Sequence, residues 1–171
     1  MSLKDHFDTF ARYNAWANAR LYHAVSQLSD VDYRADRGAF FHSIHGTLNH
    51  LLVTDRVWMH RFTSEGDAPD RLDAILYEHF DDLRDARELE DRRITAYVTS
   101  LDETALDSII TYRRVSSPEV KTQALAPGLA HWFNHQTHHR AQVHTMLTGL
   151  TGVAPELDLL IFQRMWAEGL R

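Results

Sequence analysis

Long segments of this chain contain no helix-breaking residue and repeat their apolar side chains with the period of an α-helix. Only 7 Gly and 4 Pro occur among the 171 residues, and the strict alternation typical of strands is rare between them. The pattern predicts an all-α fold. Four long helices with short to medium connectors, followed by a short C-terminal helix, are typical of a four-helix bundle.

The length and the breakers predict how the bundle is divided. Because domains cluster around roughly 100–150 residues and the chain shows neither a repeat nor a low-complexity segment, we expect one domain spanning residues 1–171. Ser2 followed by Asp5 resembles a helix capping box. The segment Ser108–Arg113 is β-branched and predicts a short extended piece or hairpin strand. Helices are predicted over about 3–28, 43–62, 75–101, from 122 or 127 to 148, and 155–167, with a polar connector at 30–40.

Composition excludes several function classes. The absence of Cys rules out disulfide scaffolds, thiolate zinc fingers, cysteine nucleophiles and iron–sulfur ligation, which leaves imidazole and carboxylate for metal or acid–base chemistry. The net charge of −6, with 18 scattered basic residues against 24 acidic ones, argues against nucleic acid as a partner. Neither a signal peptide nor an apolar run of about 20 residues is evident, so we expect no membrane segment and a cytoplasmic location.

Five of the 12 His lie in the fourth predicted helix, between residues 131 and 144. At about 100° per residue, His135 and His139 lie on the side of the helix that carries the apolar residues. His138 and His144 point away from that side. His131 continues the same row farther from the core, and we interpret it as a neighbour of the site or a surface residue.

Two imidazoles one helical turn apart can converge on a single metal ion. The alternative interpretation is a pair of histidines at the edge of the core, hydrogen-bonded to their neighbours. A third ligand must come from another helix, and the second helix offers His42, His45, His50 and His60. Its apolar arc lies about 130° from His50 and within about 90° of His45. Periodicity therefore mildly favours His45, although spacing alone cannot choose.

Three segments together resemble the DinB/YfiT-like family, and the resemblance covers nearly the whole chain. They are YNAWAN at 13–18, SIHGTLNHLL at 43–52 with Trp58, and FNHQTHHR at 133–140. The resemblance implies an up-down-down-up four-helix bundle that holds one divalent metal ion, commonly as a homodimer. It implies His50, His135 and His139 as the metal ligands, against the preference for His45. The chain departs from the commoner family pattern at Ala141, where Gly often follows the Arg.

The resemblance also implies a range of activities. Such relatives include thiol-dependent S-transferases and isomerases, and others regarded as metal-dependent hydrolases. Three neutral His would leave an open coordination position, as in catalytic sites. All-His ligation favours zinc or nickel and permits iron, cobalt or manganese. Because this chain has no Cys, thiol chemistry would need an external low-molecular-weight thiol acting on an unidentified small-molecule substrate.

Other interpretations remain open. The chain could be a non-catalytic, stress-related dimeric bundle whose metal is structural or adventitious, or a metal-free bundle in which the His pair senses pH. Asp55, inside the apolar arc of the second helix, could orient a ligand imidazole or act as a general base. The favoured alternative for Asp55 is an ion pair with an Arg of a neighbouring helix. Trp58 and Trp132 are expected in the core, although they could line a pocket beside the metal.

Overall fold

Four long helices build the bundle, and short elements connect them. The computed structural model describes residues 2–170. Its elements, in chain order, are α1 (Leu3–Val25), α2 (Asp30–Arg34), α3 (Ile44–Thr63), α4 (Phe80–Ser100), α5 (Glu103–Leu106), β1 (Ile109–Arg113), β2 (Val120–Ala124), α6 (Leu125–Thr151) and α7 (Leu159–Ala167). Helices α1, α3, α4 and α6 pack side by side. The all-α four-helix bundle with a short C-terminal helix is therefore confirmed.

Contacts made by α1 fix its direction relative to two neighbours. Near the beginning of α1, the Lys4 ammonium donates a hydrogen bond to the carbonyl of Thr99, at the end of α4. These two helices are therefore antiparallel. Phe7, also near the beginning of α1, stacks on Phe133 in the first half of α6. Helices α1 and α6 therefore run in the same direction.

Contacts at the end of α3 complete the topology. Phe62 packs against Trp132, which lies early in α6, so α3 and α6 are antiparallel. The same ring stacks on Tyr97 near the end of α4, so α3 and α4 are parallel. The long helices consequently run up, down, down and up in chain order, as the family resemblance implies.

Two predicted helix boundaries were wrong for a physical reason. Helix α1 ends at Val25, because the chain turns there and Ser29 caps the short helix α2 within the predicted connector. Leu28 still packs against the core, so the apolar period continues beyond the helix. Helix α4 begins at Phe80 instead of residue 75, because the backbone just before it is bonded to α3. The capping box at Ser2 is confirmed.

The strand prediction was right, but its partner strand was missed. Strand β1 pairs with β2 in an antiparallel hairpin, with Ile109 opposite Ala124 and Arg113 opposite Val120. This pairing takes residues 122–124 into the hairpin, so α6 begins at Leu125, between the two predicted starts. Pro127 lies in the first turn of α6, where its missing N–H costs little. The last helix, α7, begins at residue 159 instead of 155.

Helix α3 is buried on most of its circumference, and its apolar arc therefore does not mark a single inner face. Fourteen of its 20 residues are buried, whereas the comparison of His45 with His50 by their angle to the apolar arc assumed one buried face. His50 and Asp55 are among these buried residues although they lie on different sides of the helix. Trp58 and Trp132 belong to the apolar core, as expected. None of the helices in residues 2–170 is long and apolar enough to cross a membrane.

Candidate metal centre

Three imidazoles meet where α3 and α6 cross. His50 comes from α3, and His135 and His139 lie one turn apart on α6. The Nε2 atoms of His50 and His135 are 3.4 Å apart. One ring nitrogen from each of the three residues lies within 4.8 Å of the others. The structure therefore brings together the three histidines that the resemblance implied.

Hydrogen bonds outside the trio orient two of the rings. His50 Nδ1 lies 2.7 Å from the carbonyl oxygen of Leu72, which can only accept, so Nδ1 carries the proton. His139 Nδ1 lies 2.8 Å from Gln142 Oε1 and donates in the same way. The Nε2 lone pairs of both rings are consequently free to face a shared ion, the usual arrangement around metal-bound histidine. Phe41 stacks on His50 at 3.7 Å between ring centroids and fixes that ring further.

The trio fits a divalent transition metal. Zn–N bonds of about 2.0–2.1 Å in a tetrahedral site place two nitrogens about 3.3–3.4 Å apart, and the His50–His135 distance matches this. His135 Nδ1 is buried and has no hydrogen-bond partner within residues 2–170. Without a metal ion, the same 3.4 Å distance would correspond to a hydrogen bond in which His135 Nε2–H donates to His50 Nε2. Three neutral nitrogen donors suit zinc, nickel, cobalt, iron or manganese, without selecting among them.

Burial keeps these imidazoles neutral. It lowers the pKa of His50 to about 4, opposed by the bond to Leu72 and assisted by the charge of His139. Burial, followed by the charges of His139 and His50, lowers the pKa of His135 to about 3. Burial also lowers the pKa of His139. At neutral pH all three rings are therefore in the form that binds metal.

A segment between α3 and α4 supplies the Leu72 carbonyl, and Asn49 anchors that segment. Asn49 Oδ1 accepts from the backbone N–H groups of Leu76 and Tyr77, at 2.9 and 3.0 Å. Its Nδ2 donates to the Tyr77 carbonyl. We call residues 72–77 the strap. Sequence reasoning assigned no role to Asn49, although it stands one position before His50 in the segment that carries the family resemblance.

The loop before α3 packs closely against that helix because residue 46 is glycine. A Cβ at this position would collide with the carbonyl oxygen of Phe41, so only glycine lets the loop before α3 lie directly against the helix. The loop thereby delivers the Phe41 ring to His50 and, at 5.5 Å between centroids, to His139. Nothing in the apolar periodicity could have identified Phe41, because it precedes the helix.

The other histidines considered for the third ligand lie elsewhere. His45 Nε2 lies 3.1 Å from the Tyr77 carbonyl and its Nδ1 faces Arg34, so the mild preference for His45 was wrong as a guide to the trio. His42 is exposed and pairs with Asp36, and His60 Nδ1 bonds to the Gly66 carbonyl. His131 is exposed and packs between Trp58 and His135, with ring centroids 5.3 and 6.0 Å away.

Asp55 holds the bundle together from its centre. Its fully buried carboxylate accepts from Arg87 Nη1 at 2.5 Å and from Trp132 Nε1 at 2.6 Å, and Gln136 Nε2 donates to it as well. The ion-pair interpretation is confirmed. Burial raises the pKa of Asp55, and the guanidinium charge opposes that rise. Asp55 makes no hydrogen bond to the three histidines, but its partner Gln136 lies between His135 and His139 in sequence.

A cavity of about 440 Å³ opens beside the trio. His50 and His135 form part of its wall, together with the hairpin and the second half of α3. A larger cavity of about 740 Å³ lies between α1 and α4, and none of the three histidines lines it. Of these two cavities, the smaller one therefore combines small-molecule dimensions with candidate metal ligands.

An up-down-down-up helical bundle with three clustered imidazoles between α3 and α6 places the chain in a class: helical-bundle proteins with a candidate metal centre. Comparison with known proteins identifies the family. The model of the DinB family matches residues 1–169, and the chain belongs to this family. Protein DinB of Bacillus subtilis (strain 168) is 26% identical over 160 residues, which cover 88% of this chain and 90% of that relative.

Proposed function

We propose that this chain is a metal-dependent enzyme, a thiol-dependent S-transferase or a hydrolase, which uses His50, His135 and His139 to hold one divalent ion. One observation carries the proposal: three neutral imidazoles converge, and two of them, His50 and His135, line a cavity large enough for a small molecule. A purely structural metal site is closed by a fourth protein ligand. The described residues offer no fourth His, Asp or Glu to this group.

The chain's own residues would bind and position the reactants. A divalent ion held there would supply Lewis acidity and would favour deprotonation of a water or thiol at neutral pH. His50 and His139 would keep their lone pairs directed at that ion through their bonds to Leu72 and Gln142. Phe41 covers His50 and limits access of water from that side. The chain has no Cys, so a thiol nucleophile would enter from solution.

Activity assays of metal-loaded protein test the proposal. Zinc, nickel, cobalt, iron and manganese would each be added to the metal-free chain. Conjugation of cysteine or glutathione to 1-chloro-2,4-dinitrobenzene would report thiol transfer, and cleavage of 4-nitrophenyl acetate would report hydrolysis. We expect one activity to depend on metal and to disappear in His135→Ala. His144→Ala, which removes an α6 imidazole that bonds to the Pro155 carbonyl, is the matched control and should remain active.

Two outcomes would contradict the proposal. Activity that persists in His135→Ala would place the chemistry elsewhere. A metal-loaded protein that catalyses neither reaction would favour the alternative of a non-catalytic, stress-related bundle with a structural or adventitious metal.

We also propose that the chain forms the homodimer that the family resemblance implies. The groove between α1 and α4 offers small side chains, including Ala15, Ala19 and Ala96, beside charges of both signs at Glu88 and Arg92. A two-fold interface pairs each surface with itself, so such mixed charges suit it. Sedimentation equilibrium should give twice the chain mass, and Ala19→Arg should give a monomer with unchanged metal content. A monomeric wild type would contradict the dimer.

A further inference from the structure

The cavity beside the trio has a charge that contrasts with the chain as a whole. The protein has 24 acidic and 18 basic residues. Yet the fifteen residues that line this cavity include three cations, Arg61, Arg114 and Lys121, and no carboxylate. A cation that has no acidic partner in a small cleft attracts anions, because the low-dielectric walls concentrate the field.

Arg61 differs from the other two cations in having no acidic partner. Arg114 and Lys121 both pair with Glu119, at 3.6 and 2.5 Å. No carboxylate within residues 2–170 lies within 4 Å of Arg61. Its guanidinium makes one long hydrogen bond, 3.5 Å from Nη2 to the Arg113 carbonyl. Burial and the neighbouring charge of Arg114 lower the pKa of Arg61, which is the effect of a half-buried cation without a counter-ion.

Two aromatic rings hold the Arg61 guanidinium in place. Its central carbon lies 4.5 Å from the ring centroid of Trp58 and 4.3 Å from that of Tyr112. Cation–π contacts of this kind stabilise the position of the group without using its hydrogen-bond donors. A guanidinium presents a planar fork of N–H donors that matches a carboxylate or phosphate. The N–H donors of Arg61 are therefore preorganised to bind an oxyanion.

The position of Arg61 relative to the trio limits the ligand. Arg61, His50 and His135 line the same cavity of about 440 Å³, and His131 lies between Trp58 and His135. One small molecule could therefore contact the guanidinium at one end and the imidazole trio at the other. A cavity of this volume fits a compact metabolite-sized ligand.

We infer that Arg61 is the anion-binding residue of this pocket, and that the ligand is a small molecule with a carboxylate or phosphate held by Arg61 and its reacting group at the His50–His135–His139 trio. This inference rests on the proposed function for the reacting end. The anion contact itself depends only on the residues of the pocket. Arg61 is thus a specificity-determining residue, which selects anionic substrates over neutral ones of the same shape.

Side-chain NMR of the full-length protein tests the anion contact directly. The Arg61 Nε–H signal would be assigned from its loss in Arg61→Lys, and the protein would be titrated with hexanoate, monohexyl phosphate and 1-hexanol at constant ionic strength. We expect a saturable shift of this signal with at least one of the two anions and none with the alcohol. Hydrogen bonds to charged groups contribute about 1.5–3 kcal/mol, so Arg61→Gln should weaken anion binding about tenfold or more.

Arg114→Gln is the matched control, because it removes a cation of the same cavity that already has an acidic partner. It should change anion affinity by less than about threefold, since an exposed ion pair contributes little. Thermal melting of each variant would show that the fold is retained. If neither anion shifts the Arg61 signal, or if Arg61→Gln binds both anions as well as the wild type does, the inference is wrong.

A second titration separates this inference from the proposed function. Cobalt(II)-loaded protein would be titrated with 6-mercaptohexanoate and with 6-mercapto-1-hexanol, and thiolate binding would be followed by its charge-transfer absorption. We expect the carboxylate-bearing thiol to bind about tenfold more tightly, with equal affinities in Arg61→Gln. No absorption with either thiol, together with an anion-dependent Arg61 shift, would refute the thiol function and keep the anion site. Equal affinities in the wild type would refute one ligand spanning both groups.

Discussion

At the scale of single residues, Asp55 shows how one buried charge supports the site without touching it. Its carboxylate bonds to Arg87 of α4 and to Trp132 and Gln136 of α6, so it joins three helices around the trio. Removing Asp55 would leave the buried Arg87 with Asp91, 3.0 Å away, as its remaining carboxylate partner, and would leave Trp132 and Gln136 without the Asp55 carboxylate as an acceptor. Breaking a buried ion pair typically costs 3–5 kcal/mol. Asp55 is therefore a determinant of stability, in agreement with its interpretation from sequence as an ion-pair partner.

Asp55→Ala should lower the free energy of unfolding by about 3 kcal/mol or more, as measured by urea denaturation of the metal-free protein. Asp55→Asn should cost less, because its amide oxygen can still accept from Trp132. The control is Asp81→Ala, which removes an exposed partner of Arg84 and should cost less than about 1 kcal/mol. A loss at position 55 no larger than the loss at position 81 would contradict this role.

The buried imidazoles predict an unusual pH profile for metal affinity. Protons compete with metal for an imidazole only below its pKa, and burial places the pKa of His50 at about 4 and that of His135 at about 3. Because both values lie below the ordinary value of about 6.5, lowering the pH from 7.5 to 6 should not protonate these ligands. Affinity, measured by competition with a chromophoric chelator of known pH dependence, should therefore change by less than about threefold. A decrease of about tenfold or more between pH 7 and 6 would contradict the burial of the trio.

At the scale of elements, the strap connects Asn49 to the ring of His50. Asn49 on α3 binds the backbone of Leu76 and Tyr77, and the same strap presents the Leu72 carbonyl to His50. Partners of this kind hold the tautomer and the direction of a ligand ring, and their loss typically weakens metal affinity about 10–100-fold. We therefore expect the side chain of Asn49 to orient His50 through the strap.

Asn49→Ala should weaken metal binding by about 10–100-fold, measured by chelator competition at pH 7.5. Asn134→Ala is a matched control, because it removes an exposed amide from α6 beside a ligand in sequence. It should leave the affinity unchanged. If Asn49→Ala binds metal as tightly as the control does, the strap does not position His50.

The elements also show what the sequence could predict. The i, i+4 spacing of His135 and His139 identified two members of the trio because both stand on one helix, where periodicity is a local property. His50 could not be chosen by periodicity, since α3 is buried on most sides and its apolar arc does not mark a single inner face. Only the family resemblance supplied it. Strand β2 was missed because its pairing with β1, not its own composition, makes it a strand.

At the scale of the whole molecule, the bundle combines an acidic chain with a basic pocket. The net charge is −6, whereas the described residues that line the cavity beside the trio include three cations and no carboxylate. Composition could not reveal this pocket, because its residues come from α3, the hairpin and α6, which only the fold brings together. Phe41 and the strap were equally invisible to periodicity, because both lie outside the long helices.

The metal content of untagged protein, measured by inductively coupled plasma mass spectrometry after purification without added metal, tests the three-His site most directly. We expect about one divalent ion per chain for a single three-His site. We also expect loss of most of that metal in each of His50→Ala, His135→Ala and His139→Ala, and full retention in His144→Ala. A wild type without bound metal, or three alanine variants that all retain it, would show that His50, His135 and His139 do not hold a metal ion.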